Sequence, residues 1–322
     1  MLTVLTITLL LFAESPAKPM VVVAVGAPGA DEYAPQFQEW SERWRAATEK
    51  GGAQFMLVGD AAESDGTDRD RLQKLLTDAA GDEESPLWLV MIGHGTFDGQ
   101  AGKFNLRGPD IEAAELAEWL KPLKRPVAVI HCASASAPFI NKLAGENRVV
   151  ISATKSGDEQ NFARFGQYIS ATISDPAADL DKDGQTSLLE SYLTACRQVA
   201  EFYEQDARLA TEHALLDDNG DGLGTPAEWF RGLRATQRAK DGATLDGTRA
   251  HQWHLIASDR EQHMPAKLRE RRDVLELKIA TLRADTEQMK EDDYYRVLEP
   301  LMIELARLYE SADNSQAESV PK

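Results

Sequence analysis

Cysteine is scarce: Cys132 and Cys196 are the only two in 322 residues. One bridge is the most they can form, so a disulfide scaffold is excluded. Basic residues are also few, 35 Lys and Arg against 53 Asp and Glu, leaving a net charge of −18. A nucleic-acid binder needs a basic surface to displace counterions from phosphates, so nucleic acid is excluded as a partner. Long apolar runs are missing except at the start, and residues 2–13 are too short for a membrane span. Ser15 and Ala17 follow that run at cleavage-site spacing. Residues 1–17 are therefore expected to be a signal peptide, though one without a basic start, and the protein to be exported to a periplasmic or extracellular space. No Gly-x-Ser-x-Gly elbow occurs, which removes the serine α/β-hydrolases.

What the chain has instead is a regular succession of short apolar runs. Residues 20–26, 53–59, 86–93, 126–132 and 148–154 read as strands, separated by amphipathic helical stretches at 37–48, 69–80, 111–120 and 139–143. The runs are continuous rather than alternating, as expected when helices cover both faces of a parallel sheet. This predicts an α/β fold: a three-layer α/β/α sandwich with a mainly parallel sheet and right-handed crossovers. The short segment 103–108 reads as a small hairpin strand projecting from it. A domain over 18–170 is expected, with a helical region over 171–257 packed on it or completing it. Over 258–310, Leu268, Leu275, Leu282 and Met289 recur every seven residues, which predicts an antiparallel helical hairpin or short coiled coil. It offers a surface for protein–protein contact. Pro300 is expected to shorten or kink its second helix, and the polar tail 311–322 to be disordered.

In an open parallel sheet, functional groups collect beyond the carboxyl ends of the strands. His94 closes the third strand, in "PLWLVMIGHGTFDG", and Cys132 closes the fourth, in "VAVIHCASASA". Consecutive βαβ strands are usually neighbours, which brings imidazole and thiol together; an imidazole beside a thiol activates it as a nucleophile. Gly95 bares a backbone amide that, with the amide of Cys132, suits a developing oxyanion. The small residues after Cys132 are expected to leave a cleft open. His131 alternates to the other face and reads as structural.

These residues resemble the caspase-like cysteine peptidases, closest to their legumain-like branch. "GHGTFDG" followed 38 positions later by "IHCASAS" carries the resemblance, over roughly residues 20–165. It implies His94 as base, Cys132 as nucleophile and Gly95 as oxyanion donor, acting on a peptide or protein substrate. In that family the loops shaping the specificity pocket correspond here to 26–35 and 155–166. Asp31, Asp158 and Glu159 there suit a basic side chain, Lys155 or Arg164 an acidic one, and both readings stay open.

Two acidic loops follow. "DLDKDGQTSLLE" places Asp179, Asp181, Asp183, Gln185, Ser187 and Glu190 at positions 1, 3, 5, 7, 9 and 12 of a calcium loop, with Gly184 at 6. "DDNGDGLGTPAE" repeats it with Asp217, Asn219, Asp221, Leu223, Thr225 and Glu228. Alternate oxygens wrap one Ca2+, the glycine permits the sharp turn, and the last glutamate binds bidentately. Residues 206–216 read as a helix entering the second loop. The sequence thus points to an exported cysteine endopeptidase with structural calcium. The alternative is a catalytically inactive calcium-binding scaffold of the same fold.

Overall fold

The computed structural model describes residues 18–59, 66–242, 244–284, 286 and 289–319. The expected signal peptide lies outside the described residues.

The chain begins with strand β1 (Met20–Val25), helix α1 (Ala34–Lys50), β2 (Gln54–Val58), α2 (Asp68–Asp78) and β3 (Leu87–Ile92). A small three-stranded sheet follows: β4 (Gly95–Phe97), β5 (Gly102–Phe104) and β6 (Ile111–Glu112). Then come α3 (Ala113–Leu120), β7 (Val127–His131), α4 (Ala137–Leu143), β8 (Arg148–Ser152), α5 (Phe165–Thr172) and α6 (Leu188–Gln205). Two short strands, β9 (Leu215–Asp217) and β10 (Thr225–Pro226), join the main sheet, and β11 (Phe230–Arg231) with β12 (Arg234–Ala235) forms a ribbon. Helices α7 (Thr248–Gln252), α8 (Asp259–His263), α9 (Ala266–Ala284) and α10 (Glu291–Ser319) complete the chain.

The main sheet has seven strands in the order β10-β9-β8-β7-β3-β1-β2. Its first five strands in sequence pair in parallel, and β9 and β10 are antiparallel additions at one edge. β3 is buried along its whole length because helices cover both faces. On one face Val21, Val23, Trp88, Val90, Ile92, Ile130 and Cys132 pack under α1, α5 and α6. On the other, Leu89, Met91, Val127 and Val129 meet the side chains of α2, α3 and α4. α1 shows why it lies there: Phe37, Trp40, Ser41, Trp44, Ala47 and Thr48 are buried at helical spacing.

The expected α/β sandwich is therefore present, with three differences. Residues 208–214 are irregular, and Leu215–Asp217 is a strand where a helix was expected. Leu216 pairs with Ile151 at the open edge of β8, and that burial outweighs the helical preference of the segment. α10 passes through Pro300 and reaches Ser319, beyond the 311 boundary of the expected tail. Segment 103–108 contributes one strand of a three-stranded sheet rather than a lone hairpin strand. α9 and α10 pack together, with an ion pair between Arg271 and Glu304. No helix among the described residues is long and apolar enough to cross a membrane.

His131 is buried on the face opposite Cys132, between the rings of Phe104 and Phe139. Burial pushes its imidazole down to about 3. The folded state thus holds it neutral where the unfolded chain protonates at its usual value near 6.5. Its contribution is complete above pH 6.5 and is lost as pH falls toward 3, by about 1.4 kcal/mol per pH unit. Denaturant titrations from pH 7 to 5 are expected to give wild type and His131→Gln stability slopes that differ by one proton, the wild type losing more stability per pH unit on acidification. Equal slopes would refute it.

Candidate active site and cation loops

β3 and β7 are parallel neighbours, with Met91 opposite His131. His94 and Cys132 thus emerge at adjacent strand ends, as the sequence requires. The Cys132 amide donates to Met91 O at 2.8 Å, continuing the ladder. Both side chains lie on the α1/α5 side: Cys132 belongs to the core containing Phe37 and Trp40, and the His94 ring lies 5.3 Å from that of Phe37.

The loop after β1 fixes the imidazole. His94 Nε2 lies 3.0 Å from Pro28 O, and a carbonyl only accepts, so Nε2 carries the proton. In the neutral ring Nδ1 is then the basic atom. Tyr33 and Phe162 close over the ring, their centroids 4.8 and 5.8 Å from it and 4.5 Å from each other. Loops 26–35 and 155–166, singled out from the sequence, do converge on the site, through these two aromatics. The acidic candidate Glu159 is engaged elsewhere: it accepts from Lys155 N and lies 2.5 Å from His213 Nδ1. Arg164 stacks on Phe202.

Cys132 has no exposed surface, and its thiol makes a long hydrogen bond, 3.9 Å, to Ile130 O. α5 seals it. A Cβ on Gly166 would stand 2.6 Å from the Trp40 ring and 2.9 Å from Cys132 Cβ, so only glycine lets this helix lie so close. Burial, reinforced by the charge of Glu212, pushes the thiol well above its ordinary range. Glu212 is itself buried and caps the start of α5, accepting from Arg164 N and Phe165 N; burial raises its own carboxyl.

Three expectations change here. No hydrogen bond joins His94 to Cys132 among the described residues. The Gly95 amide donates to Ser134 Oγ at 3.3 Å and the Cys132 amide to Met91, so both oxyanion donors are occupied. Gly95 is glycine for a packing reason: a Cβ would lie 2.3 Å from Ser134 O. Finally, Ala133, Ser134, Ala135 and Ser136 are buried and leave no open cleft, because Ser136 and Thr154 bond each other and the neighbouring amides.

The two acidic loops share one hydrogen-bond pattern. In the first, Asp179 accepts from Lys182 N and Gly184 N, Asp181 from Asp183 N, and Asp183 from Gln185 N. In the second, Asp217 accepts from Gly220 N and Gly222 N, Asn219 from Asp221 N, and Asp221 from Leu223 N. Position 6 is left-handed in both, Gly184 at φ +92° and Gly222 at +75°. The first loop is entered by a single tight turn, Pro176–Ala178, and left by α6; the second runs between β9 and β10. Carboxylate oxygens of Asp179, Asp181 and Asp183 lie within 4.8 Å of one another, as do ligand atoms of Asp181, Glu190 and His251.

The loops differ at position 12, where the sequence assignment fails for one of them. Glu190 accepts from Leu180 N and Asp181 N with one oxygen, and from the amide and hydroxyl of Ser187 with the other. Glu228 does nothing equivalent; it is exposed, beside the Cys196 cavity. Asp246 takes over, accepting from Asp218 N and Asn219 N with one oxygen and from Thr225 Oγ1 with the other. Pro226 and the turn Ala227–Trp229 carry the chain away from the loop too early for Glu228 to return. Burial raises Asp217 to about 7; burial and the charge of Asp218 raise Asp246. Asp246 stands 29 residues after Asp217, outside any twelve-residue pattern, and no sequence signal marks it.

No protein-family model matches the chain, and no curated protein sequence matches it. Two solved structures similar to it are caspases. One is the Drosophila initiator caspase Dronc, 12% identical, with a TM-score of 0.40, over 65% of this chain and 81% of that one. The other is caspase-1 from Spodoptera frugiperda, 10% identical, TM-score 0.41, over 62% of this chain and 86% of that one. These caspases do not distinguish the legumain-like branch. At such identity the chemistry is argued from the chain's own residues.

Proposed function

We propose that the chain is a cysteine endopeptidase of caspase-like architecture, here closed over its nucleophile. One observation carries the reading: His94, its tautomer set by Pro28, and Cys132 lie at the ends of neighbouring parallel strands and on the same side of the sheet. When a peptide binds, Nδ1 takes the thiol proton and Sγ attacks the scissile carbonyl. The imidazolium then protonates the leaving amine, and water hydrolyses the acyl-enzyme. Substrate entry requires the Tyr33–Phe162 cover to open and the start of α5 to lift from the thiol. A peptide-library digest is expected to show cleavage by the wild type and none by Cys132→Ser. Equal cleavage by both would overturn the assignment. The complete burial of Cys132 favours a second reading, a non-catalytic scaffold; absence of cleavage at every calcium concentration would select it.

We also propose that each acidic loop holds one Ca2+: Asp179, Asp181, Asp183, Gln185, Ser187 and Glu190 in the first, and Asp217, Asn219, Asp221, Leu223, Thr225 and Asp246 in the second. Millimolar calcium outside cells suits such sites and the exported location. Both loops clamp α7: His251 Nε2 lies 3.1 Å from Asp181, and Ala250 N donates to Asp218. Just beyond α7, Trp253 packs edge-on against Trp88 at 5.1 Å. Chelation is expected to lower the melting temperature and change tryptophan fluorescence, both restored by calcium. No response to chelator would sink the calcium reading.

A further inference from the structure

The β11–β12 ribbon, α7 and α9 border a cavity of about 420 Å3 that shares no lining residue with the surroundings of His94. Arg231, Arg234, Arg249 and Arg283 line it, together with Thr248 and Thr281. Such a concentration of guanidinium is out of place in a chain carrying a net charge of −18. Elsewhere arginines find acids readily: Arg43 with Glu39, Arg69 with Glu115, Arg125 with Asp82, Arg197 with Glu201, Arg272 with Glu261. Around this cavity Arg231, Arg234 and Arg283 are exposed and form no ion pair among the described residues. Arg249 donates to two neutral oxygens, Asp218 O and Asn147 Oδ1. Of the two acids in the wall, Asp218 feels the charge of Arg249, and neither forms an ion pair with Arg231, Arg234 or Arg283 among the described residues. Asp218 accepts from Gly247 N and Ala250 N, and Asp246 from Asp218 N, Asn219 N and Thr225.

Guanidinium groups grip carboxylates and phosphates through paired N–H donors, and several around one concavity select a ligand carrying more than one negative charge. Leu233, Leu245 and Leu277 complete the lining and suit an apolar body. We propose that this cavity binds a small, multiply charged oxyanion, a phosphate ester or a polycarboxylate, held chiefly by Arg231, Arg234 and Arg283. The proposal stands apart from the peptidase reading; Asn219 and Asp246 of the second acidic loop share the cavity wall.

Calorimetric titration of the full chain, stripped of calcium and dialysed, would use pyrophosphate as the phosphate probe and citrate as the carboxylate probe. Saturable one-site binding of at least one probe is expected, and the stronger of the two names the class. The double variant Arg231→Gln/Arg234→Gln should weaken it by at least ~10-fold, since two charge-assisted contacts are lost. Arg45→Gln, on α1, should leave it unchanged. Both pocket arginines are exposed and form no ion pair among the described residues, so the double variant should melt with the wild type. No saturation by either probe at millimolar concentration would overturn the proposal. So would an equal loss in Arg45→Gln, which would mean diffuse charge attraction only.

Discussion

His94→Ala is expected to slow labelling of Cys132 by a peptide ketone by ~10²–10⁴-fold near neutral pH, the usual worth of a positioned base. Burial holds the thiol protonated, so without a base the nucleophilic thiolate is scarce. Raising the pH supplies thiolate by another route, so the gap between wild type and variant should narrow as pH rises. A merely structural histidine would give a loss tracking the fall in melting temperature and independent of pH. The imidazole is held by Tyr33, Phe37 and Phe162, so His94→Gln serves as the less disruptive companion. If either variant, still folded, labelled as fast as the wild type, His94 would not be the base.

Asp246→Asn is expected to abolish calcium binding at the second loop, whereas Glu228→Gln should leave it intact. Asp246 accepts from positions 2, 3 and 9 of that loop, as Glu190 does in the first. Losing a carboxylate ligand lowers the charge that sets calcium affinity, by at least ~10-fold here. Calorimetry with calcium should therefore find two sites in the wild type and in Glu228→Gln, and one in Asp246→Asn. The reverse pattern would restore the contiguous twelve-residue assignment. Two unchanged sites in both variants would remove Asp246 from the coordination.

The contrast between these residues explains what the sequence makes legible. His94 and Cys132 are visible because β3 and β7 are continuous apolar runs whose ends are unmistakable. The register Met91 opposite His131 then follows from the parallel pairing. The first acidic loop is visible because all the oxygens proposed as its ligands come from one contiguous segment. Asp246 is invisible for the opposite reason, since only tertiary folding returns it to Asp217. β9 is hidden because its three residues depend on the edge of β8 rather than on a pattern of their own. The lid is hidden too: Tyr33 and Phe162 are 129 positions apart and meet only across His94. At Gly95 the sequence suggests a bared amide, whereas the 2.3 Å approach that a Cβ would make to Ser134 O is what demands glycine.

The closed site makes the central claim testable at a single atom. The full chain, incubated with an irreversible peptidyl ketone in calcium and then digested, should give one adduct by mass spectrometry, on Cys132 Sγ. Cys196 serves as the internal control: it is partly exposed, its thiol meets Tyr192, and burial raises its pKa. Phe162→Ala, which removes half of the aromatic cover, should give the same adduct faster. Modification of Cys196 instead, or no adduct on Cys132 in either protein, would contradict the His94–Cys132 dyad.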